Sequence, residues 1–325
     1  MTELAVSISR LRIADPDGLV GAIRGSDLEP WLLSGHRSES ELSRIMLPGS
    51  CLDHAIFGPA MWFRGVMPKD CYTMVYVTAC PEEGHSFNFK SRHRDKCLGF
   101  FAPGETLDAK TPEGYGHATL TIPETVFLEV VESCHQEFPE GLLKQGGSFF
   151  PTADACWNLT AFLDAMNETM RHTPDVLASG AVRDVLECEL HDHFLGLIRS
   201  DRGNGSAANN PRITRRYRRM NLLQDFIREN SRRRIRLAEL CAVSGLSRRG
   251  LEYLFADQFG VRTQAFLHQS RMHGVRRELL ASEPRHGLVK KVALNWGFWH
   301  LGRFAADYRA LFDENPSATL ARRRS

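Results

Sequence analysis

Arginine clusters give the C-terminal part of this chain its most obvious chemistry, which is anion binding. One cluster comprises Arg215, Arg216, Arg218 and Arg219, and a second runs from Arg232 to Arg236. A guanidinium group carries five N–H donors in a planar fork that matches two oxygens of a phosphate. Such contacts fix position on DNA without reading its sequence. We therefore predict phosphate contacts by Arg215, Arg216, Arg233 and Arg234. For any single arginine the alternative is a solvated basic surface.

The histidines and cysteines do not indicate a metal site. Cys188, His191 and His193 carry ligand-type side chains on one predicted helix, but position 193 points away from the face that the other two share. One helix therefore supplies at most two of the ligands that zinc needs. Three further histidines lack a close His-x-His spacing: His85, His93 and His117. The eight cysteines show no pairing pattern and are typical of reduced thiols. We predict no metal, no cofactor and no enzymatic activity.

The net charge of +2 conceals a division along the chain. Residues 201–325 hold 25 Lys and Arg against 11 Asp and Glu, a balance of +14. Residues 1–200 hold 16 against 28, a balance of −12. This division indicates that the basic part binds a polyanion and that the acidic part has a different role.

The elements that must position the arginines are predicted by a pattern written twice. In each copy a small residue lies four positions before a glycine, and large apolar residues then recur every four positions. The first copy contains Cys241, Gly245, Leu251, Phe255 and Phe259, and the second contains Ala293, Gly297, Phe304, Tyr308 and Phe312. The small residue and the glycine let two helices cross through a tight turn, and the apolar stripe is the buried face of the second helix. The pattern predicts two helix-turn-helix units.

These motifs resemble those of the AraC/XylS family of bacterial transcription regulators. The residues that carry the resemblance are Leu246-Ser247, Phe255, Phe259-Gly260, Arg271-Met272, Arg276, Leu279-Leu280, Gly297-Phe298, Phe304, Tyr308 and Asn315-Pro316-Ser317. The resemblance covers residues 215–320 and implies a domain of two helix-turn-helix units joined by a long helix. It also implies double-stranded DNA as the partner. Gln264 and Asp313 depart from the family pattern, since they occupy the usual proline and glycine positions.

Base contacts are predicted at the start of each recognition helix, because that part of the helix enters the major groove. In the first unit Ser247 should cap the helix, and Arg248, Arg249, Glu252 and Tyr253 should face outward. The family resemblance implies base contacts at Arg249, Gly250, Glu252 and Tyr253. In the second unit the outward residues are His300, Leu301, Gly302 and Arg303. These offer few hydrogen-bond donors, so we expect the first unit to supply most of the base reading.

The connecting helix and the second unit add further predicted phosphate contacts. A helix from Thr263 to about Ala281 would be roughly 28 Å long, which suits two recognition helices in grooves about one DNA turn apart. Its Arg271, Arg276 and Arg277 could serve packing, ion pairs or phosphates. Lys290, Lys291 and Arg309 are assigned to phosphates.

The first 200 residues predict a second, ligand-sensing domain. Six to eight short strands between Leu42 and Ile122 indicate a small barrel or sandwich, followed by helices over 124–138 and 153–200. Sensor-type AraC proteins have an N-terminal cupin-like barrel followed by helices, so the fold class is predicted to be α+β. The segments 102–115 and 297–302 are similar to the ethanolamine-utilisation regulators. Candidate residues for a small-molecule pocket are Trp62, Arg64, Tyr72, Tyr76, Phe87 and Phe100, although each could simply fill the core.

Residues 201–211 are polar and rich in Gly and Asn, which predicts a flexible linker between domains 1–200 and 212–325. We expect a cytoplasmic homodimer without a membrane segment, acting as a ligand-responsive activator that contacts RNA polymerase. One alternative is a regulator whose N-terminal domain only dimerises. A remote one is a DNA-repair methyltransferase with the same reader domain, although no cysteine lies in the setting that this activity needs. Residues 153–200 could form the dimer surface or pack on the barrel.

Overall fold

The chain is seen in a computed structural model that describes residues 8–13, 16–33, 38–81, 86–87, 96–133, 140–173, 175–176, 179–201 and 211–322. It divides into two units, which consist of Met1–Pro30 with Ser38–Ile213 and of Trp31–Arg37 with Thr214–Ser325. We call them the N-terminal and C-terminal units. The predicted boundaries 1–200, 201–211 and 212–325 stay predictions, and residues 202–210 of the predicted linker lie outside the described residues.

The N-terminal unit is built on short strands that form two sheets. The strands are β1 Ile8–Ile13, β2 Asp27–Leu32, β3 Ser40–Met46, β4 Cys51–Phe57, β5 Met61–Val66, β6 Cys71–Ala79, β7 Ser86–Phe87, β8 Leu98–Phe101, β9 Thr106–Thr111, β10 Tyr115–Pro123 and β11 Gly147–Phe149. One sheet has the order β1-β3-β4-β10-β6-β8-β11 and the other the order β2-β5-β9-β7. The predicted α+β class with an N-terminal β-domain is confirmed. The strands β1, β2 and β11 lie outside the stretch in which strands were predicted.

The large sheet is covered on one side by helices and on the other by the small sheet. In β10, Ala118, Leu120 and Ile122 belong to the core that the sheet shares with helices, whereas Tyr115 and His117 face residues of β5 and β9. This alternation follows from the two-residue period of a strand. Both faces of β10 are buried, and the face away from the helices carries the polar residues His117, Thr119 and Thr121.

Four helices accompany the sheets: α1 Glu124–Ser133, α2 Glu140–Gln145, α3 Ala153–His172 and α4 Gly180–Arg199. Thr152 caps α3, since its side chain accepts a hydrogen bond from the Ala155 N–H. Glu187 fastens α4 to the turn between β3 and β4, because its carboxylate accepts the Gly49 N–H at 3.0 Å and the Ser50 hydroxyl at 2.5 Å. The helices therefore form part of the core of this unit.

The described part of the C-terminal unit is helical apart from its short connections and a segment from the first forty residues. Its helices are α5 Pro211–Glu229, α6 Leu237–Ser244, α7 Arg248–Phe259, α8 Thr263–Leu280, α9 Leu288–Asn295, α10 Leu301–Phe312 and α11 Pro316–Ala321. The pairs α6–α7 and α9–α10 are the two predicted helix-turn-helix units, and α8 connects them. Among the described residues, none of the helices is both long enough and apolar enough to span a membrane.

Candidate nucleic-acid interface

One apolar stripe packs the first recognition helix, α7, against its unit, and one side-chain cap fixes its N-terminus. Leu251, Phe255 and Phe259 are buried at intervals of four residues, which places them on one face of the helix. Gly245 ends α6 with a φ of 65°, a left-handed conformation that glycine adopts without strain. The Ser247 hydroxyl then accepts the Gly250 N–H at 3.2 Å. The predicted cap and buried face are therefore present.

The opposite face of α7 presents the predicted base-contact residues to solvent. Arg248 and Arg249 are exposed, and Tyr253 is 69% exposed. Gly250 lies in the first turn of the helix, where it receives the cap from Ser247. These residues form a surface with two guanidinium groups and one phenol, which can make hydrogen bonds to base edges.

Glu252 has a structural partner that the sequence did not indicate. Its carboxylate accepts the Thr263 N–H, the first of α8, at 3.1 Å. That amide has no partner inside its own helix, and the side chain of Arg262, the residue before it, makes no capping hydrogen bond. Glu252 is thus oriented toward α8, whereas its base contact stays a prediction.

The second recognition helix, α10, is packed in the same way on α8 and α9. Phe304, Tyr308 and Phe312 are buried at intervals of four. The turn is one residue longer than in the first unit, because three residues rather than two separate the glycine from the helix. The helix ends at Asp313, whose φ of 52° is left-handed, as is that of Gly260 after α7. Aspartate tolerates this conformation better than most residues, which accounts for its use at the family's glycine position.

The outward face of α10 differs chemically from that of α7. His300, Gly302 and Arg303 are exposed, and Leu301 is half-buried. Arg303 lies 3.8 Å from Asp307 one turn later, and Asp307 also accepts from His268 of α8 at 3.1 Å. Burial lowers the pKa of His268 despite the opposing charge of Asp307. The one guanidinium among the predicted base contacts of α10 therefore has a carboxylate close by.

A buried ionic network fixes α10 and α11 against α8. Arg276 of α8 pairs with Glu314, and both side chains are almost fully buried. The Thr319 hydroxyl donates to Glu314 at 2.7 Å and lies 2.8 Å from the Tyr308 hydroxyl. Burial raises the pKa of Tyr308 to about 12. Of the uses that the sequence left open for Arg276, the structure supports an internal ion pair.

The predicted phosphate contacts separate into paired and unpaired side chains. Arg216 pairs with Asp257, Arg233 lies 2.6 Å from Glu239, and Arg309 donates to Asn315 at 2.6 and 3.0 Å. The hydrogen bond from Arg233 lowers the pKa of Glu239. The remaining candidates are exposed: Arg215, Arg234, Lys290 and Lys291. Asp257 is distant in sequence from Arg216, so sequence spacing did not reveal that pair, whereas Glu239 and Asn315 each lie six residues after their arginine.

A basic notch is lined by Arg234, a predicted phosphate contact, and by Arg271, whose use the sequence left open. The notch has a volume of about 40 Å³ and is also lined by Ser231, Gln264 and Ser270. Burial and the nearby charge of Arg234 lower the pKa of Arg271. The Arg271 guanidinium lies 5.3 Å from the Phe298 ring centroid. Two guanidinium groups without a carboxylate partner among the described residues are suited to an oxyanion such as a phosphate.

The described side chains among the predicted pocket residues of the N-terminal unit lie in two different environments. Tyr72, Tyr76 and Phe100 belong to the core between the large sheet and the helices. The Trp62 indole donates to Asp108 at 2.5 Å, and Arg64 lies 3.9 Å from the same carboxylate. Phe87 is in β7, but its side chain lies outside the described residues. None of the five described side chains is among the residues that line the cavity between the two sheets, and their role in ligand binding stays a prediction.

That cavity is lined mainly by apolar residues of both sheets. Its volume is about 30 Å³, and its walls include Phe57, Phe63, Val75 and Leu107. His117 contributes a polar atom, because its buried Nδ1 has no hydrogen-bond partner among the described residues. Burial and the charge of His54 lower the pKa of His117 to about 3. The sequence could not identify this lining, because both faces of the central strands are buried.

No group of three histidine, cysteine or acidic side chains in the described part of the chain is placed to hold a metal ion. Of the three side chains tested by spacing, Cys188 is exposed and His191 is buried, whereas His193 lies 4.8 Å from the Phe162 ring centroid. His191 approaches Glu187 at 3.9 Å. Burial lowers the pKa of His191, which favours its neutral form.

Comparison with known proteins connects these helices to a family. Residues 240–322 match the Helix-turn-helix domain family HTH_18. Over 99 residues the chain is 36% identical to the XylDLEGF operon transcriptional activator 1 of Pseudomonas putida, a match that covers 30% of each protein. A probable AraC family transcriptional regulator from Rhodopseudomonas palustris CGA009 is 34% identical, over 33% of this chain and 99% of that one, with a TM-score of 0.30. The chain belongs to the AraC/XylS family.

The likeness to AraC/XylS proteins lies in the C-terminal third. The probable thc operon regulatory protein of Rhodococcus erythropolis, for example, is 31% identical over 99 residues, which again are 30% of each protein. The chain thus matches about a third of the length of these curated relatives. The predicted AraC/XylS relationship and the predicted helix-turn-helix domain are confirmed. The resemblance to ethanolamine-utilisation regulators and the individual contact residues stay predictions.

Proposed function

We propose that this AraC/XylS protein is a sequence-specific transcription activator whose two recognition helices enter successive major grooves of one duplex. The observation that carries the proposal is the pairing of α7 and α10, two 12-residue helices with solvent-facing N-terminal turns, on the 18-residue helix α8. A helix of that length spans about 27 Å, which is close to the rise of one DNA turn, about 34 Å. The balance of +14 over residues 201–325 supports a polyanionic partner.

The two helices are assigned unequal shares of the base reading. Arg248 and Arg249 on α7 are exposed, and no ion pair with an acidic residue is seen for either among the described side chains. On α10 the nearest equivalent, Arg303, has Asp307 within 3.8 Å. A free guanidinium can grip guanine through two hydrogen bonds, so we assign this contact to Arg249. Leu301 would then supply an apolar contact to a thymine methyl group.

The test begins by selecting bound sequences from a random duplex library. Arg249→Ala should then weaken binding to the selected site by about 1–3 kcal/mol and change binding to random DNA much less. Arg285→Ala is the matched control, since Arg285 is exposed and paired with the exposed Glu283. An equal loss on both DNAs would reduce Arg249 to a phosphate contact. A library without any enriched sequence would contradict sequence-specific reading.

The N-terminal unit is assigned to effector sensing and dimerisation. A small molecule that binds one of its conformations better would shift the dimer toward two adjacent DNA sites, where an activator contacts RNA polymerase. Several buried polar atoms have no hydrogen-bond partner in the described part of this unit, which supports a ligand inside it. They are the hydroxyls of Thr73, Thr119 and Thr121 and the Nδ1 of His117. Each such atom costs about 1–3 kcal/mol unless a ligand or water satisfies it.

The small size of the cavity favours a second candidate, a regulator whose N-terminal unit only dimerises. A volume of about 30 Å³ corresponds to a single water molecule. Native mass spectrometry of the full chain purified from cells separates the two candidates. A retained small molecule whose removal changes the oligomeric state or DNA affinity supports sensing. A dimer that binds DNA equally well with and without cell extract supports dimerisation alone.

A further inference from the structure

A polar groove of about 510 Å³ lies on the N-terminal unit, apart from the cavity between the sheets. It runs between the C-terminal turns of α3 and the strands β1, β3 and β4, of which β1 forms the edge of the large sheet. Arg10 lies opposite Ser43, and Ser43 lies opposite His54, so the three side chains form one row across the sheet. From α3, Asn167 and Arg171 line the groove, and their spacing of four residues places them on one helix face. The volume lies in the range of small-molecule sites.

Two arginines of this groove, Arg10 and Arg171, are placed to take one bound anion. The positively charged groups around the groove are Arg10, Arg12 and Arg171, and the negatively charged groups are Glu41, Asp164 and Glu168. Glu41 lies 3.7 Å from Arg12, which leaves Arg10 without an acidic partner among the described residues. Arg171 pairs with Glu168 at 3.3 Å, but both side chains are more than half exposed. Exposed pairs of this kind contribute little, so the guanidinium of Arg171 remains available.

His54 also lines the groove, and its protonation is affected by the charges of Arg10 and Arg171. Burial lowers its pKa, the charge of Asp164 opposes this effect, and the charges of Arg10 and Arg171 reinforce it. The two guanidinium groups therefore approach the same imidazole from the sheet and from the helix. A neutral imidazole can donate or accept one hydrogen bond at each nitrogen. Ile56, in the next row of the sheet and 42% exposed, adds an apolar contact.

We propose that this groove binds a small organic acid, whose carboxylate lies between Arg10 and Arg171 above His54 and whose aliphatic part contacts Ile56. The carboxylate would give Arg10 an acidic partner and would share Arg171 with the exposed Glu168. Ser43 and Asn167 supply neutral hydrogen-bond partners beside it. The proposal does not depend on DNA binding, because every residue in it belongs to the N-terminal unit.

Thermal unfolding of the full chain with increasing hexanoate tests the site, with ionic strength held constant by sodium chloride. A ligand that binds the folded state raises Tm by mass action, which yields a Kd. Hexanoate should raise Tm, whereas neutral hexanamide of the same shape should not. Arg10→Gln and Arg171→Gln should each weaken hexanoate binding about tenfold or more, as expected for a lost charge-assisted hydrogen bond. Both side chains are exposed, so the Tm without ligand should change little.

Lys69→Gln is the control, because Lys69 is an exposed cation of the same unit outside the groove. It should leave the hexanoate Kd unchanged. Equal shifts from hexanoate and hexanamide would overturn the proposal, and so would an unaltered Kd in both arginine variants. An equal shift from inorganic phosphate would show a general oxyanion site and would contradict the assignment to an organic acid.

Discussion

At the scale of single residues, Glu252 shows how a side chain predicted to read bases can have a structural role. Its carboxylate accepts the first N–H of α8, and loss of a helix cap typically costs about 0.5–2 kcal/mol. Glu252→Ala should therefore lower the free energy of unfolding by that amount and leave the preference among DNA sequences unchanged. Urea unfolding and competition binding measure the two effects. Glu229→Ala, at the exposed end of α5, is the control. A changed preference with unaltered stability would return Glu252 to the reading surface.

His117 is the residue whose titration should make the protein sensitive to acid. Burial, with a smaller effect from the charge of His54, lowers the pKa of His117 to about 3, against an ordinary value of 6.5. Between pH 3 and pH 6.5, His117 therefore binds a proton in the unfolded chain but not in the folded chain. This contribution to stability is complete above pH 6.5 and falls as the pH drops toward 3, by about 1.4 kcal/mol per pH unit.

Urea unfolding of the full chain at several pH values between 7.5 and 4.5 checks this expectation. His117→Asn should flatten the pH dependence of the unfolding free energy by about one proton's slope. His286→Asn, at an exposed position, should preserve it. Identical slopes in the wild type and the His117 variant would mean that His117 is protonated in the folded state at these pH values.

At the scale of elements, replacing a glycine by alanine should have opposite effects on stability in two helices of the C-terminal unit. A Cβ on Gly274 of α8 would lie 2.1 Å from the Trp296 ring, so helix and indole could not keep their positions. Gly274→Ala should destabilise the unit by about 1–3 kcal/mol, the usual cost of overpacking. A Cβ on Gly302 of α10 meets no atom within 4 Å. Gly302→Ala should therefore stabilise the folded chain by about 0.5–1 kcal/mol.

Differential scanning calorimetry of both variants measures the two signs directly. Gly302→Ala also places a methyl group on the predicted reading face of α10, so DNA binding is measured beside Tm. Weaker binding together with a higher Tm would support the assignment of Gly302 to the interface. A stabilising Gly274→Ala would contradict the close approach of Trp296 to α8.

Which elements could be predicted from the sequence depended on how many of their faces are buried. The helices α7 and α10 each have one apolar stripe, so their bounds, buried faces and the cap at Ser247 were predictable. The strands β6 and β10 are buried on both faces, so the sequence could not show that Tyr72 and Tyr76 face helices while Val75 faces the cavity. Ion pairs such as Arg216–Asp257 connect positions far apart in the chain, and no local pattern encodes them.

At the scale of the whole molecule, the uneven charge distribution sets how DNA binding should depend on salt. Among the predicted DNA contacts, the exposed cations with no ion pair seen in the described part of the chain are Arg215, Arg234, Arg248, Arg249, Lys290 and Lys291. If most of them meet phosphates, the affinity for random DNA should fall by roughly a thousandfold between 50 and 200 mM salt. Pairing of Arg233 and Arg309 inside the unit makes them weaker contributors.

Arg234 allows the sharpest test of this expectation, because it lines the notch beside Arg271. Removing one phosphate contact should reduce the slope of log K against log salt by about 1 on every sequence. Arg234→Gln should show that reduction, measured by fluorescence anisotropy on a random duplex. Arg228→Gln is the control, since Arg228 is exposed on α5 and paired with Asp225 at 3.3 Å. If Arg234→Gln left the slope unchanged, the notch would not contact a DNA phosphate. DNA contact would then be confined to the two recognition helices and α9.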